Sequence, residues 1–282
     1  MTKILNLDSG TIIENQEIAK DHFVMSVLLT SYLETALPGQ FIMVRKQGVK
    51  DPLLRRPLSL YGFFQTEAGT VLEFLYRVLG KGTLALSRLV AGDTVDILGP
   101  LGKPFELIEA RPHIILLAGG IGAAPLSYFL EYLAKGLDRY GENSQRAEMR
   151  RIIFYFGAAS AAALVGLPQI QRFCPDVRVA TDDGSTGFSG TVTELLRRDL
   201  PEFDPEKTSL YSCGPTAMIK SLSQLMQTSS IPCYVSMEER MACGIGACLG
   251  CSIKVRRESS GWAYSQVCTD GPVFNIKNLQ WE

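Results

Sequence analysis

Four cysteines near the end of the chain constrain its fold more than any other feature. Cys243, Cys248 and Cys251 lie in the run Met241-Ala-Cys243-Gly-Ile-Gly-Ala-Cys248-Leu-Gly-Cys251, with the spacing C-x4-C-x2-C, and 16 residues separate Cys251 from Cys268. Four thiolates are what a 2Fe–2S cluster requires, two per iron, and this spacing of the first three is that of plant-type ferredoxins. Thiolates are soft donors that neutralise ferric charge. Gly244, Gly246 and Gly250 let the backbone wrap closely and aim N–H groups at the sulfurs. Such hydrogen bonds raise the reduction potential. Two other readings exist, a structural zinc site and buried free cysteines. Zinc sites usually come as two Cys-x2-Cys knuckles, and here there is one. Only two histidines occur, His22 and His113, which argues against a His-rich zinc or iron centre. Cys174 and Cys233 read as small buried apolar residues.

The rest of the composition narrows the class. Of 282 residues, 46% are hydrophobic and 20% charged, values that suit a chain with a real core. The formal net charge of −1 gives no electrostatic reason to bind nucleic acid or an acidic membrane. Pro112–Leu130 and Ile152–Gln171 carry no charged side chain and are long enough to suggest membrane spans. Their internal glycines and prolines read better as buried parallel strands running through tight loops into packed helices. Met1–Gly10 lacks a secretory signal pattern, so a cytoplasmic location is the expectation.

Three textures follow one another. Residues 1–108 alternate short apolar runs (His22–Leu29, Gln40–Arg45, Val71–Val78, Thr94–Leu98) with glycine turns, which predicts an antiparallel β-barrel. Residues 109–237 alternate strands with helices, which predicts a parallel sheet in an α/β unit. Its candidate strands are His113–Ala118, Arg151–Phe156, Val177–Ala180, Thr208–Ser212 and Cys233–Met237. Thr191-Val-Thr-Glu194 is a capping box that opens a helix to about Arg198, and Pro215 suits a first helical position. Residues 238–282 form a small lobe, with strands at Ser252–Arg256 and Tyr264–Cys268 around a polar turn. It is too small for a core of its own, so a cofactor is expected to hold it together.

Within the barrel, Arg56-Pro57-Leu58-Ser59 opens a strand, where proline costs no ladder donor. Arg56 can grip a pyrophosphate bidentately, and Ser59 can reach a ring nitrogen of a flavin. Leu75-Tyr76-Arg77 offers an aromatic ring and a second cation. Gly82 and Thr83 stand at the start of an apolar helix, Leu84–Leu89, an anion site built on a helix N-terminus. Singly these read as a strand edge or a turn; their order within one barrel points to a flavin nucleotide.

The α/β unit adds three loops at strand ends, where ligands bind in such sheets. Gly119, Gly120, Gly122 and Pro125 lie in the first, which is not the G-x-G-x-x-G fingerprint. Asp183 and Gly184 lie in the second, Thr181–Gly187, and Cys213, Gly214 and Pro215 in the third. Cys213 is expected beside the meeting point of flavin and nicotinamide, with no base to make it a nucleophile. No catalytic residue is assigned: the expected chemistry is an electron relay.

Together, Arg56-Pro-Leu-Ser59, Gly119-Gly-Ile-Gly122 and Cys213-Gly-Pro215 resemble the ferredoxin–NADP reductase superfamily. With Met237-Glu-Glu-Arg-Met-Ala-Cys243 and Val267-Cys268-Thr-Asp-Gly-Pro-Val-Phe274, nearly the whole chain resembles the electron-transfer subunits of class 1B dihydroorotate dehydrogenases. The resemblance implies FAD, one 2Fe–2S cluster and NAD as cofactors. It implies a separate FMN-containing subunit that oxidises dihydroorotate, in an assembly of two of each, serving pyrimidine biosynthesis. Electrons would run from that partner through the cluster and FAD to NAD, and the chain alone would show only NADH–acceptor activity. Gly157–Ala163 departs from the polar stretch expected there. It lacks the carboxylate that would hold the adenosine ribose, and it also lacks the Arg or Lys that a 2′-phosphate needs, so NAD is preferred. Related subunits of a sulfide dehydrogenase, a hydrogenase or a ferredoxin-bifurcating complex share this layout, and a redox sensor without turnover is the reading of a different class.

Overall fold

Leu7–Ala19, a strand longer than any expected from the sequence, is β1 in the computed structural model, which describes residues 7–136, 150–257 and 261–281. The part of the N-terminal signal reading that falls on residues 1–6, and most of the polar turn after Arg257, lie outside the described residues. β2 (His22–Leu29), β3 (Phe41–Lys46), β4 (Arg56–Ser59), β5 (Gly62–Thr66), β6 (Gly69–Arg77) and β7 (Thr94–Leu101) follow, with helix α1 (Lys81–Ser87) between β6 and β7. The seven strands pair antiparallel in the order β4-β3-β7-β1-β2-β6-β5. The two edge strands are consecutive in sequence, with only Leu60 and Tyr61 between them. Leu60 N–H donates to Gln40 on the β3 side and Tyr61 N–H to Glu73 on the β6 side. The sheet therefore curls until its edges meet, the barrel that the turn spacing predicted. Alternate residues of β6, Leu72, Phe74 and Tyr76, enter its core with Met25, Ile42 and Val44.

The α/β unit is a second seven-stranded sheet. β8 (His113–Gly119), β9 (Arg151–Ala158), β10 (Val177–Thr181), β11 (Phe188–Ser189), β12 (Thr208–Cys213), β13 (Cys233–Ser236) and β16 (Val273–Asn275) stand in the order β11-β10-β9-β8-β12-β13-β16. All pairings are parallel except that of β16 with β13. Helices α2 (Ala123–Ala134), α3 (Leu167–Phe173), α4 (Val192–Asp199) and α5 (Thr216–Met226) flank it. The capping box of α4 forms as expected, Thr191 accepting from Glu194 N–H. Pro215 is the cap before α5 and not its first helical residue. Both uncharged stretches resolve into a buried strand, a loop and a helix. Among the described residues no helix is long and apolar enough to cross a membrane.

The cysteine lobe contributes one hairpin, β14 (Ser252–Arg257) with β15 (Gly261–Gln266). β15 starts earlier than the strand expected at Tyr264–Cys268. The tail then returns to the parallel sheet as β16. As its size implies, this lobe has no core of its own and is packed on its neighbours. Cys251, Val255, Val267, Cys268, Ile276 and Leu279 share one core with Phe41, Met43 and Leu101 of the barrel and with Val235 of the sheet. The barrel and sheet units are also locked by Tyr128 of α2, whose ring enters the barrel core and whose hydroxyl donates to the Ala36 carbonyl at 2.6 Å.

Candidate functional site

β4 lies at the edge that faces the α/β unit, so its residues border the junction. A cavity of about 220 Å³ opens there. Pro57, Leu58, Ser59, Leu75, Tyr76, Arg77 and Thr83 form its barrel wall, Ile121 and Ala124 its first-loop wall, and Ser236–Glu239 with Met241 the wall that leads into the cysteines. Seven residues singled out in the barrel sequence thus surround one space. Arg56 and Gly82 extend that wall: a Cβ at Gly82 would collide with the Arg56 guanidinium, which already reaches the Leu54 carbonyl at 2.8 Å. The guanidinium therefore lies against the first turn of α1, a concentration of donors suited to a pyrophosphate. Thr83 Oγ1 accepts from Leu79 and Gly80 N–H groups and shapes this turn. Arg55 differs from its neighbour, since Asp96 holds it at 2.9 Å and β7 is thereby tied to the β3–β4 loop.

Tyr76 borders the cavity but is only 2% exposed. Its ring stacks on Phe23 at 5.7 Å and its hydroxyl donates to Asn15 at 3.0 Å. Strand alternation turns it into the barrel core and leaves Leu75 and Arg77 on the other face. The stacking platform expected of Tyr76 is thus engaged within the barrel.

The first and third glycine loops touch each other. A Cβ at Gly122 would overlap the Cys213 carbonyl, and one at Gly214 would stand 3.0 Å from Gly119 N. Only glycine permits this approach of two backbones. Gly120, at φ +52°, has nothing within 4 Å of its Cβ position and faces open space. Pro125 is buried in the first turn of α2, where a missing N–H costs nothing. Pro215 is exposed, and a Cβ at Gly119 would stand 3.0 Å from its Cδ. Cys213 is 1% exposed and does not border the cavity. Burial, and then the negative charge of Glu238, push its thiol well above the usual range, so it stays protonated. A nucleophilic role is excluded by that environment.

The second loop stands apart from the cavity, at the ends of β9 and β10. Asp182 N–H donates to Ala158 at 3.1 Å, Asp183 N–H to Ala159 at 3.2 Å, and Ala161 N–H to Ser185 Oγ at 2.8 Å. The Gly157–Ala163 segment and this loop thus form one exposed shelf. Asp183 accepts from Ser185 N–H at 2.9 Å and Ser185 Oγ at 2.6 Å, and these bonds hold its carboxyl below the ordinary range.

The cysteine loop has no regular secondary structure. Gly244, Gly246 and Leu249 hold it in left-handed turns, at φ +74°, +83° and +58°. No disulfide joins any of the seven cysteines. Burial raises the Cys243 thiol, but hydrogen bonds from the N–H groups of Ile245, Cys248 and Ala247 and from the Cys248 thiol outweigh it and bring it down to about 7. The Cys268 thiol is pushed up to about 12 by burial and then by its hydrogen bond and charge interaction with Cys251. Cys243 thus interacts with Cys248, and Cys268 with both Cys251 and Cys243. N–H donors crowd the Cys243 sulfur. Four thiols linked in this way suit a binuclear centre, which takes four thiolates, two per iron. Among the described residues no three His, Cys, Asp or Glu side chains stand close enough together to hold a metal ion.

Glu238, Met237, Met241 and Ile121 escaped sequence reasoning as cavity residues. Met237–Met241 was visible as a motif, but its place against the barrel depends on β13 ending at the junction. Glu238 is open to the cavity, yet the protein around it removes enough water to raise its carboxyl above the ordinary range.

Residues 238–280 match the family model described as the iron-sulfur cluster binding domain of dihydroorotate dehydrogenase B, and residues 116–224 match the oxidoreductase NAD-binding domain. The chain is 37% identical over 94% of its length to the dihydroorotate dehydrogenase B (NAD(+)) electron transfer subunit of Desulforamulus reducens, covering 95% of that protein. Against the subunit of the same name from a Geobacillus species (strain WCH70) identity is 38%, over 96% of this chain and 97% of the relative. Among solved structures, an NADH-dependent reduced ferredoxin-NADP oxidoreductase aligns with a TM-score of 0.78 and 28% identity, over 96% of this chain and 90% of that one. A ferredoxin NADP+ reductase from Neisseria gonorrhoeae with bound FAD and NADP shares the fold, at a TM-score of 0.62 and 16% identity over 79% of this chain and 90% of that one.

Proposed function

The chain belongs to the family of dihydroorotate dehydrogenase B electron transfer subunits, and on that premise we propose that it connects a dihydroorotate-oxidising partner to a nicotinamide nucleotide in pyrimidine biosynthesis. The observation that carries this reading is the shared cavity. Its walls come from the barrel motif, the first glycine loop and the segment that enters the cysteine loop. A cofactor seated there borders both a nicotinamide crevice and the cysteine lobe.

Bound here, a 2Fe–2S cluster supplies one-electron chemistry and FAD joins one-electron to hydride chemistry. The chain's own residues bind, orient and shield. Arg56, with Gly82 and Thr83 at the start of α1, would hold the FAD pyrophosphate. Pro57, Leu58, Ser59, Leu75 and Arg77 would bound its ring. Gly119, Gly120, Gly122, Asp183, Gly184, Gly214 and Pro215 line the crevice proposed for NAD. Cys243, Cys248, Cys251 and Cys268 would ligate the cluster.

The partner proposed is an FMN-containing catalytic subunit, in an assembly of two of each, in the cytoplasm. The chain alone is proposed to retain only NADH–acceptor activity. A second reading, a subunit of a bifurcating ferredoxin–NADP oxidoreductase complex, draws on the likeness at 28% identity and is weaker than the curated relatives at 37–38%. Reconstitution tests the choice. Purified with an FMN-containing dihydroorotate dehydrogenase subunit, the holoprotein should give dihydroorotate-dependent NAD reduction, and Cys251→Ser should abolish it together with the cluster's absorbance and paramagnetic signal. A wild-type pair with no orotate-linked NADH formation rejects the reading.

A further inference from the structure

The geometry points to Asn15 as a positioning residue for the flavin: it ties the strand that walls the ring to the helix that faces the pyrophosphate, and so sets the distance between them. This rests on the proposed flavin site and deepens it.

Two elements supply the walls in question. Leu75 and Arg77 of β6 border the cavity, and Thr83 of α1 borders it on the pyrophosphate side. Gly82, one residue earlier, lies against the Arg56 guanidinium. α1 has 7 residues, so it is about 10 Å long at 1.5 Å per residue. A tilt of about 5° about its far end therefore moves Gly82 and Thr83 by about 1 Å. A binding constellation tolerates only about 0.5 Å. Whatever fixes the far end of α1 thus fixes the pyrophosphate wall.

Leu86 and Leu89 bury their side chains in the barrel core, which holds the helix down but is non-directional. Direction comes from polar bonds. The last carbonyls of a helix have no partner within it. Val90 N–H, which a longer helix would offer to Leu86, donates instead to Asp93 at 3.0 Å. The Asn15 amide takes its place: Nδ2 donates to the Leu86 and Leu89 carbonyls, each at 2.9 Å. Its Oδ1 accepts from the Tyr76 hydroxyl at 3.0 Å. Burial holds that hydroxyl above the ordinary phenol range, so it keeps the proton it donates. Tyr76 stands between Leu75 and Arg77 on β6, the two residues that wall the flavin ring. Asn15 itself is carried by the barrel and not by the helix it holds: it lies opposite Met25 on β2, and Met25 opposite Phe74 on β6. One side-chain amide, with both donor hydrogens and its oxygen engaged, thus joins the ring wall to the pyrophosphate wall. An apolar side chain in its place would leave two carbonyls and a buried hydroxyl unpaired and the helix free to tilt.

The test separates the two halves of the ligand. The full chain, stripped of flavin, is titrated with FAD and with riboflavin, which keeps the ring and lacks the pyrophosphate. Flavin fluorescence gives both affinities for wild type, Asn15→Ala and Tyr76→Phe, with melting curves of the flavin-free proteins. Asn15→Ala frees the end of α1, and loss of one charge-assisted phosphate contact should weaken FAD roughly 10-fold or more. Riboflavin affinity should not change, so the FAD/riboflavin ratio falls. Tyr76→Phe removes one of the bonds at nearly constant volume and should lower the ratio in the same direction by less. A role confined to stability would instead lower the melting temperature and weaken both flavins alike. Equal weakening of the two, or an unmoved ratio in both variants, overturns the assignment. If Asn15→Ala does not fold, an unmoved ratio in Tyr76→Phe overturns it alone. A wild type that binds no flavin overturns it together with the flavin site, whereas failure of Asn15 by itself leaves that site standing.

Discussion

Asp199 shows at the residue scale how this fold uses buried charge. Its carboxylate is 2% exposed and accepts from Arg178 at 2.6 Å, Arg198 at 2.8 Å and Tyr155 at 3.0 Å. Burial raises its pKa, but the hydrogen bonds from Arg198, Arg178 and Tyr155 outweigh that and lower it below the usual carboxylate range. A carboxylate lowered in the folded state contributes stability above its unfolded pKa, and that contribution is lost as pH falls through the lowered value. Asp199→Asn should therefore destabilise the neutral protein by about 1.5–3 kcal/mol, the worth of hydrogen bonds to a charged group, and should flatten the acid limb of a stability–pH curve. Chemical denaturation at a series of pH values checks both. The cysteines belong to the same scale: the four proposed as cluster ligands were legible because thiolate chemistry and spacing are properties of the sequence. That Ser185 engages Asp183 and not Asp182 was not legible, because it depends on how the loop turns.

At the scale of the element, each glycine loop works by letting two segments approach. Gly82→Ala would push against the far end of a flexible arginine. Its expected effect is small on stability but large on FAD retention, with affinity reduced about 10-fold if one charge-assisted contact is lost. Flavin release during dialysis measures it. Gly122→Ala instead meets the Cys213 backbone, which cannot swing away. It should cost about 1–3 kcal/mol by overpacking, read as a lower melting temperature, and should weaken nicotinamide binding as well. The sequence marked these loops by their position after apolar runs. It did not reveal that the first and third touch while the second stands apart on the shelf.

For the whole molecule, the decisive contact is that of the cysteine loop with the barrel. Gly244 sits at φ +74°, and a Cβ there would stand 2.7 Å from Met43 Cγ on β3 and 3.1 Å from Leu101 on β7. Gly244→Ala should cost about 1–2 kcal/mol in backbone strain alone and shift the loop off the barrel. The expected result is slower transfer from the partner to the bound flavin, measured by stopped-flow absorbance of the reconstituted pair. Flavin reduction by the partner at the wild-type rate would show that the contact does not position the lobe.

The sequence by itself determined the barrel, the parallel sheet and the cysteine lobe, and it marked the residues proposed to hold the cluster and the flavin. Periodicity, spacing and donor chemistry are local properties that survive without knowledge of the fold. Three matters were decided only by tertiary structure. The long β1 was illegible because Gly10 and Ile12 are its only buried residues, too few along a polar run to show the strand period. The small lobe gained a core through contact with Met43, Leu101 and Val235, which lie far away in the chain. The cavity itself exists only because β4, the β8 loop and the end of β13 meet at one junction, and such a meeting is set by sheet order and packing, not by any run of residues.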